Sequence, residues 1–496
     1  MAKMFLNISC GVLLAIEAMI SIVPRTLAEE RVSTSLNASA IEEHIQRVAT
    51  GLRPTVAITG EPAMKLIDRM SDLHVPGVSI AVIHDGAVQW ARGFGVTAFG
   101  GPPVTPVTLF QAASISKPVT AVAALAMVQA GKLDLDADVN LFLRSWKIPA
   151  NSYTHESKVT LRELLNHSAG TTVGGFEGYQ TGVTIPTLLD VLNGVLPANS
   201  APIIVDHRPG TRYHYSSGGY SIVQQLLIDV TGKPFQSLLD ETVLRPFGMM
   251  HSSFLQPLSA NEANAAATPY LATGAPVPGG SHTYPELAAA GLWTTPTDIA
   301  RFALALLDAS AGRATPVLSQ LTTRQMLTPG LGDYGLSLII RGSAPNRCFS
   351  HGGVNKGFVS SMVAYETGEG AVIMTNGDRG GELVNEIMRS IATEYHWRDW
   401  PALERKRIAI NSKLLEQFAG DYQLAPNMIM HISSEGGHLF AQRTGHERFE
   451  IFPDSDREFF YTGEDTLITF DTDGQRHPTQ MIFHQNGEDI IGKRVQ

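Results

Sequence analysis

The sequence predicts an α/β chain of the α+β kind. An antiparallel β-sheet is flanked by helices and interrupted by an all-helical subdomain, and a small all-β barrel domain follows at the C-terminus. Three observations predict this. Strand-like apolar runs appear early, near residue 80, and again late, near residue 365, with a helical middle between them. This arrangement suits one sheet built from both ends of a domain. Beyond Trp400 the composition shifts to short alternating runs separated by Gly-containing turns, the signature of a separate barrel or sandwich.

In chain order, Lys3 precedes an apolar stretch from Met4 to Val23, interrupted by Asn7 and Glu17, and Thr26-Leu27-Ala28 offers a small-x-small site before Glu29-Glu30. This reads as a signal peptide over residues 1–28 and implies a periplasmic or secreted protein; an uncleaved anchor is the alternative. From Ala40 to Arg69 the pattern is helical, with a connection through Pro54. Gly77–Ile83 and Ala87–Ala91 then form a hairpin around Asp85-Gly86, a dipeptide that supplies the positive φ angles of a tight turn. The Ala/Val/Leu/Met-rich run from Pro118 to Gln129 is a helix stopped at Gly131. Thr160–Asn166, Tyr220–Val230 and Thr297–Leu307 read the same way. Val359–Tyr365 and Gly370–Thr375 form a second strand pair, and Gly381–Tyr395 is an amphipathic helix.

The main domain spans residues 40–400. After the charged link Glu404–Arg407, a small β domain occupies residues 410–496, with strands at Met428–Ile432, His438–Gln442, Thr466–Phe470 and Gln480–His484. Its turns fall at Gly436-Gly437, Asp473-Gly474 and Asn486-Gly487.

Composition bounds the function. The chain has 496 residues, 44% hydrophobic and 17% charged, which is enough for two domains with substantial cores and far from the profile of disorder. A net charge of −10 without a Lys/Arg cluster argues against a nucleic-acid partner. Cys10 lies in the leader, so the mature chain would hold only Cys348 and no internal disulfide. No other run approaches ~20 apolar residues, so no membrane span is expected after leader cleavage. No metal site is expected: His-Glu-x-x-His and Cys-x-x-Cys are absent, as is a Gly-rich phosphate loop, and no cofactor is implied.

The chemistry starts at Ser114-Ile115-Ser116-Lys117. A serine hydroxyl needs an adjacent base to become a nucleophile. A lysine three residues on, at the first turn of a buried helix, shares a face with it, and burial depresses the lysine pKa so that a neutral amine can take the proton. Taken alone, the pattern is equally a solvated helix cap. Two further segments favour catalysis. In Tyr215-Ser216-Ser217, opening a helix, Tyr215 could pass a proton between nucleophile and leaving group while Ser217 bonds substrate. In Ser350-His351-Gly352-Gly353-Val354, entering a strand, His351 could donate to substrate or to Tyr215, and the glycines let a ligand approach the backbone.

Ser-x-x-Lys, Tyr-Ser-x and His-x-Gly in this order resemble the class C β-lactamase and DD-peptidase superfamily of serine hydrolases. The resemblance runs from Pro76 to Met388 and includes Phe110–Lys117, Val159–Gly170, Leu244–Met249 and Ala290–Thr295. It implies a β-lactamase/transpeptidase-like fold and an acyl-enzyme on Ser114. Lys117 would be the base partner and Tyr215 the shared acid/base, with the N–H groups of Ser114 and of Val354, just after Gly353, as the oxyanion hole. His351 stands where class C β-lactamases carry the lysine of Lys-Thr-Gly, and Ser217 where Asn is usual. Both departures point towards a peptide- or amide-cleaving enzyme, similar to DD-peptidases or D-aminopeptidases. A carboxylesterase and a weak β-lactamase are the enzymatic alternatives; a non-catalytic peptidoglycan-binding or scaffold relative is the alternative of another class. Phe418-Ala-Gly420-Asp-Tyr422 and the strands after it resemble the lipocalin-like β-domain appended to such enzymes, where packing or a homo-oligomer contact is the expected role. The expected partner is a small peptide or ester substrate.

Overall fold

The structure is a computed structural model that describes residues 27–471, 478–485 and 487–495. The expected leader, residues 1–28, therefore lies outside the described residues except for its last two positions, which begin the helix Leu27–Thr50. Among the described residues no helix is long and apolar enough to cross a membrane.

The six-stranded sheet is antiparallel throughout. Its strands run across the sheet in the order Ala87–Gly95, Gly77–His84, Gly370–Thr375, Phe358–Tyr365, Cys348–Asn355 and Ile339–Arg341. Val78 pairs with Thr375 and Ile83 with Gly370, so the early hairpin and the late strand pair do meet at the centre of one sheet. The hairpin turn has Asp85 at φ 52° and Gly86 at φ 73°, as the Asp-Gly pair demands. One face of the sheet packs on the helix Pro296–Ser310, whose first turn is capped by Thr295 accepting from the Asp298 N–H.

The helical middle is wound around Ser116–Gln129. That helix is Ala/Val-rich and buried from Ser116 to Leu125, because small side chains allow neighbours to approach it on every side. It ends before Gly131, which takes φ 67°. Leu161–Leu165 begins with a capping box of Thr160 and Glu163, and Ser217–Thr231 closes on Gly232 in the left-handed region. The helical pattern from Ala40 to Arg69 is interrupted around Pro54 as expected, but the connection holds a strand that was not expected. The helix Leu27–Thr50 is followed by a strand, Val56–Ile58, and then by the helix Leu66–Asp72. That strand pairs in parallel with Leu403–Arg405, so the charged link is partly a strand.

The C-terminal part is a closed barrel of eight strands, each antiparallel to its neighbours; Gly420–Ala425 pairs with both Met428–Glu435 and the last strand, Glu488–Val495. Gly436 and Gly437 both take positive φ at one hairpin. The barrel interior is its own core, built from Tyr422, Met430, Ile432, Phe459, Phe470 and Met481 among others. Thr55 Oγ1 donates to the Gly463 carbonyl and the Val56 N–H to Thr462, while Val56 and Ile58 bury Phe460. One loop of the barrel is thereby fastened to the main domain.

Candidate active site

Ser114 lies in a single 3-10 turn, Ala113–Ile115, that runs directly into the helix Ser116–Gln129. Ala113 takes φ 50°, a conformation that costs a non-glycine residue on the order of 1 kcal/mol and has to be held from outside. Ser116 does this: its Oγ donates to the Ala113 carbonyl (2.6 Å) and accepts from the Leu292 N–H (2.9 Å). The short strand Phe110–Gln111 ahead of the turn pairs with Trp293–Thr294.

Lys117 is fully buried, and its Nζ lies 3.0 Å from Ser114 Oγ and 2.9 Å from the Ala289 carbonyl. Burial alone brings its pKa down from 10.5 to about 7. The rings of Tyr215 and Tyr220 stand 5.0 and 5.7 Å from Nζ, a contact that favours the ammonium, but desolvation outweighs it. A neutral amine has two hydrogens and one lone pair. The Ala289 carbonyl takes one hydrogen, which leaves the lone pair free to accept the Ser114 hydroxyl proton.

Tyr215 lines the cleft beside Ser114 and Ser217, which both favour its phenolate, but desolvation outweighs them and raises its pKa. It is therefore a phenol at neutral pH and can donate a proton, whereas Lys117 is the group that can accept one. The two serines beside it divide their roles. Ser216 caps the helix Ser217–Thr231, its Oγ accepting from the Gly219 N–H (2.9 Å) and donating to Thr172 O (2.8 Å). Ser217 lines the cleft, with its Oγ donating to the Gly174 carbonyl (2.9 Å).

His351 also lines the cleft, but the structure pairs it with neither of the acceptors expected for it, substrate or Tyr215. Its Nδ1 is 2.6 Å from the Gly352 carbonyl and its Nε2 2.8 Å from the Tyr334 hydroxyl. A carbonyl can only accept, so Nδ1 carries the hydrogen and Tyr334 donates to Nε2. Burial, with Lys117 nearby, holds the imidazole pKa down at about 3, so His351 is neutral.

The strand Ile339–Arg341 covers only Cys348–Ser350, so from His351 onward that edge of the sheet has no strand neighbour and turns to the nucleophile. Gly353 is pressed against it. A Cβ there would stand 2.2 Å from the Ala112 carbonyl, 2.6 Å from Ser360 Oγ and 2.9 Å from the Ser114 nitrogen. Through that gap Ser360 donates to the Ala112 carbonyl (2.8 Å). Val354, next along, is 71% exposed at the cleft.

Four contributors were not singled out in the sequence: Tyr334, His167, Ser360 and Asn355. Asn355 Nδ2 donates to Gln111 Oε1 (2.7 Å) and to the Ala290 carbonyl (3.1 Å), tying strand, nucleophile approach and Lys117 wall together. His167 is buried with its ring 4.2 Å from that of Tyr215; its Nδ1 accepts from the Ser216 N–H, and its pKa is held well below 6.5 by burial and by Lys117. It sits inside the Val159–Gly170 phrase, so a signal existed for it.

The cleft has a volume of about 540 Å³. Phe176, Tyr213, Tyr334, Ile339, Val354, Val359 and Val384 give it apolar walls, and none of its lining residues is Lys, Arg, Asp or Glu. Gly174, Gly175 and Phe176 line one side of it, and a few residues on Tyr179 exchanges backbone hydrogen bonds of 2.8 Å with Thr283.

The beta-lactamase family matches residues 63–393, and a domain of unknown function, DUF3471, matches residues 404–494. Penicillin-binding protein 4* of Bacillus subtilis is 21% identical over 87% of this chain and 98% of its own. The unguisins hydrolase ungD' of Aspergillus campestris is 30% identical over 50% of this chain and 46% of its own. Among solved structures, the octameric penicillin-binding protein homologue from Pyrococcus abyssi superposes with a TM-score of 0.59 at 20% identity, covering 86% of this chain and 98% of that one. D-alanine carboxypeptidase AmpC from Burkholderia cenocepacia superposes with a TM-score of 0.53 at 19% identity, covering 71% and 99%. At these identities the superpositions establish the fold.

Two outcomes are expected from this geometry. Gly353→Ala should leave the protein folded but lower kcat/KM at least ~100-fold on any substrate, because the methyl group must displace Ala112 or Ser114. Glu286, at the start of the short helix Leu287–Ala290, is buried with neither carboxylate oxygen bonded, and burial raises its pKa from 4.5 to about 7. Its contribution to stability is complete below pH ~4.5 and is lost as pH rises through 7. Urea denaturation should show the protein losing stability between pH 5 and pH 8, and Glu286→Gln losing less, by on the order of 2 kcal/mol.

Proposed function

The chain belongs to the beta-lactamase family of serine hydrolases, and we propose that it cleaves amide bonds through an acyl-enzyme on Ser114. The observation that carries this reading is the fully buried Lys117 amine 3.0 Å from the Ser114 hydroxyl. Lys117 takes the hydroxyl proton as Ser114 attacks the carbonyl carbon. Tyr215, protonated and beside Ser114, relays that proton to the leaving nitrogen, and water reverses the sequence to release the acid. The N–H groups of Ser114 and Val354 hold the oxyanion; one such donor contributes on the order of 3 kcal/mol to the transition state. His351, through Gly352 and Tyr334, fixes the strand that presents Val354.

The cleft qualifies the substrate. A free terminal carboxylate is bound most strongly by a cation, and a free terminal ammonium by an anion. The lining residues supply neither, and His351 is neutral. This favours internal or capped amides over the terminus-directed DD-peptidase and D-aminopeptidase reactions. The same observation supports a second reading, a carboxylesterase acting on neutral esters. An antibiotic-degrading β-lactamase ranks lowest, since β-lactams carry a carboxylate.

We further propose that the enzyme is exported, on the strength of its N-terminal sequence, and that it is divided into a hydrolase domain, residues 40–400, and a barrel domain, residues 410–496. The two separate family matches support that division. An oligomer is a further proposal, supported by the octameric relative.

The reading is tested by treating the protein with a fluorophosphonate probe and locating the adduct by mass spectrometry. The adduct should sit on Ser114 and vanish in Ser114→Ala; labelling that persists in that variant would refute it. On a neutral p-nitrophenyl ester or acyl anilide, kcat/KM should fall as pH drops through about 7, because protonation removes the Lys117 lone pair. Lys117→Met should lose at least ~1000-fold. Adding a free carboxylate next to the scissile bond of a capped peptide substrate should reduce kcat/KM at least ~10-fold; an increase would point back to a carboxypeptidase.

A further inference from the structure

We propose that the mouth of the C-terminal barrel is a second binding site, which takes a small molecule carrying a carboxylate on an apolar or aromatic body. The barrel end that faces the main domain encloses a cavity of about 260 Å³, with Arg379 and Glu382 of the main domain forming one side of it. That volume suits a ligand of roughly a dozen heavy atoms. Its floor is Met430, Phe483 and Thr466, all buried. Phe449 and Tyr461 form an aromatic wall, with ring centroids 4.2 Å apart.

Two polar groups in this cavity are open to a ligand: one is buried without a partner, the other is a half-buried cation without a carboxylate. Thr466 is 3% exposed, and its Oγ1 has no hydrogen-bond partner. A hydroxyl buried against apolar side chains in this way costs on the order of 1–3 kcal/mol unless something bonds it. Arg443 is the second. The other rim charges are engaged: Arg379 with Glu382 (3.1 Å) and Glu447 (3.5 Å), Arg448 with Glu435 (2.8 Å), and Glu464 with the amide of Gln485 (2.8 Å). The Arg443 side chain meets only the ring of His446 (2.8 Å), with no carboxylate within ion-pair distance among the described residues. A guanidinium at the rim, aromatic walls below it and an orphan hydroxyl at the floor together describe a receptor for a carboxylate with an apolar tail.

The cavity is not part of the catalytic cleft, yet the two share a wall. Arg379 and Glu382 face the barrel mouth, while Gly381, Val384 and Asn385 of the same helix, Gly380–Glu394, line the cleft. An occupant of the mouth would bear on that helical turn.

Calorimetric titration of the full chain with 3-phenylpropionate and with the uncharged 3-phenylpropanamide tests the proposal without reference to Ser114. The acid should bind saturably at one site, with the amide at least tenfold weaker. Arg443→Gln should weaken the acid at least tenfold, and Arg443→Lys should keep the preference for acid over amide. The lack of saturable binding, equal affinity for acid and amide, or unchanged affinity in Arg443→Gln would each overturn it. Blocking Ser114 with a fluorophosphonate should leave the titration intact; loss of binding would place the ligand in the cleft instead.

Discussion

The exclusion of water from the Lys117 amine is the constraint on which the rest of the site depends. Keeping a lysine uncharged near neutral pH requires several kcal/mol of differential solvation, and only complete enclosure provides it. The enclosure has a cost in sequence. Helix Ser116–Gln129 must be small and apolar on every side, Ala288–Ala290 must pack against it, and the aromatic group of Tyr215, Tyr220 and His167 must close the remaining approach. The Ala289 carbonyl then orients the amine, so the lone pair points at the one hydroxyl within reach. The helical subdomain is thus mainly a device for drying one nitrogen.

A second constraint runs through the backbone. Ser114 is presented by a turn whose first residue, Ala113, is held at positive φ, and the strain is distributed over hydrogen bonds from Ser116, Leu292 and Ser360. Gly353 is where helix and sheet come into contact: without a side chain it lets Ser360 reach across to Ala112. The nucleophile is therefore fixed from both layers, which keeps the geometry that an oxyanion site needs before substrate arrives.

Much of this was legible in the sequence because local chemistry determined it. Asp85-Gly86 marked a tight turn, and Gly131 marked a helix end through the same positive φ. Ser114, Lys117, Tyr215 and His351 stand in recurring phrases, and the structure gathers them at one cleft. What stayed hidden depends on long-range placement. Tyr334 lies in an irregular loop with no periodicity, and nothing near it in sequence shows that it will meet His351. Ser360 is an ordinary inward strand residue until Gly353 is placed beside it. The barrel could have been a sandwich, since closure rests on Asp421 pairing with Val495 across the whole domain. Its strands Arg448–Pro453 and Glu458–Tyr461 were not singled out, because the polar run Asp454–Arg457 between them interrupts the alternation.

The ionisation state of Lys117 tests the central claim most directly. Carbon-13 labelling of the lysines, with the Lys117 Cε resonance assigned by comparison with Lys117→Met, allows its titration to be followed by NMR. A midpoint near 7 is the result that the enclosure predicts. A lysine that stays charged beyond pH 9 would contradict it, and would return the role of base to Tyr215.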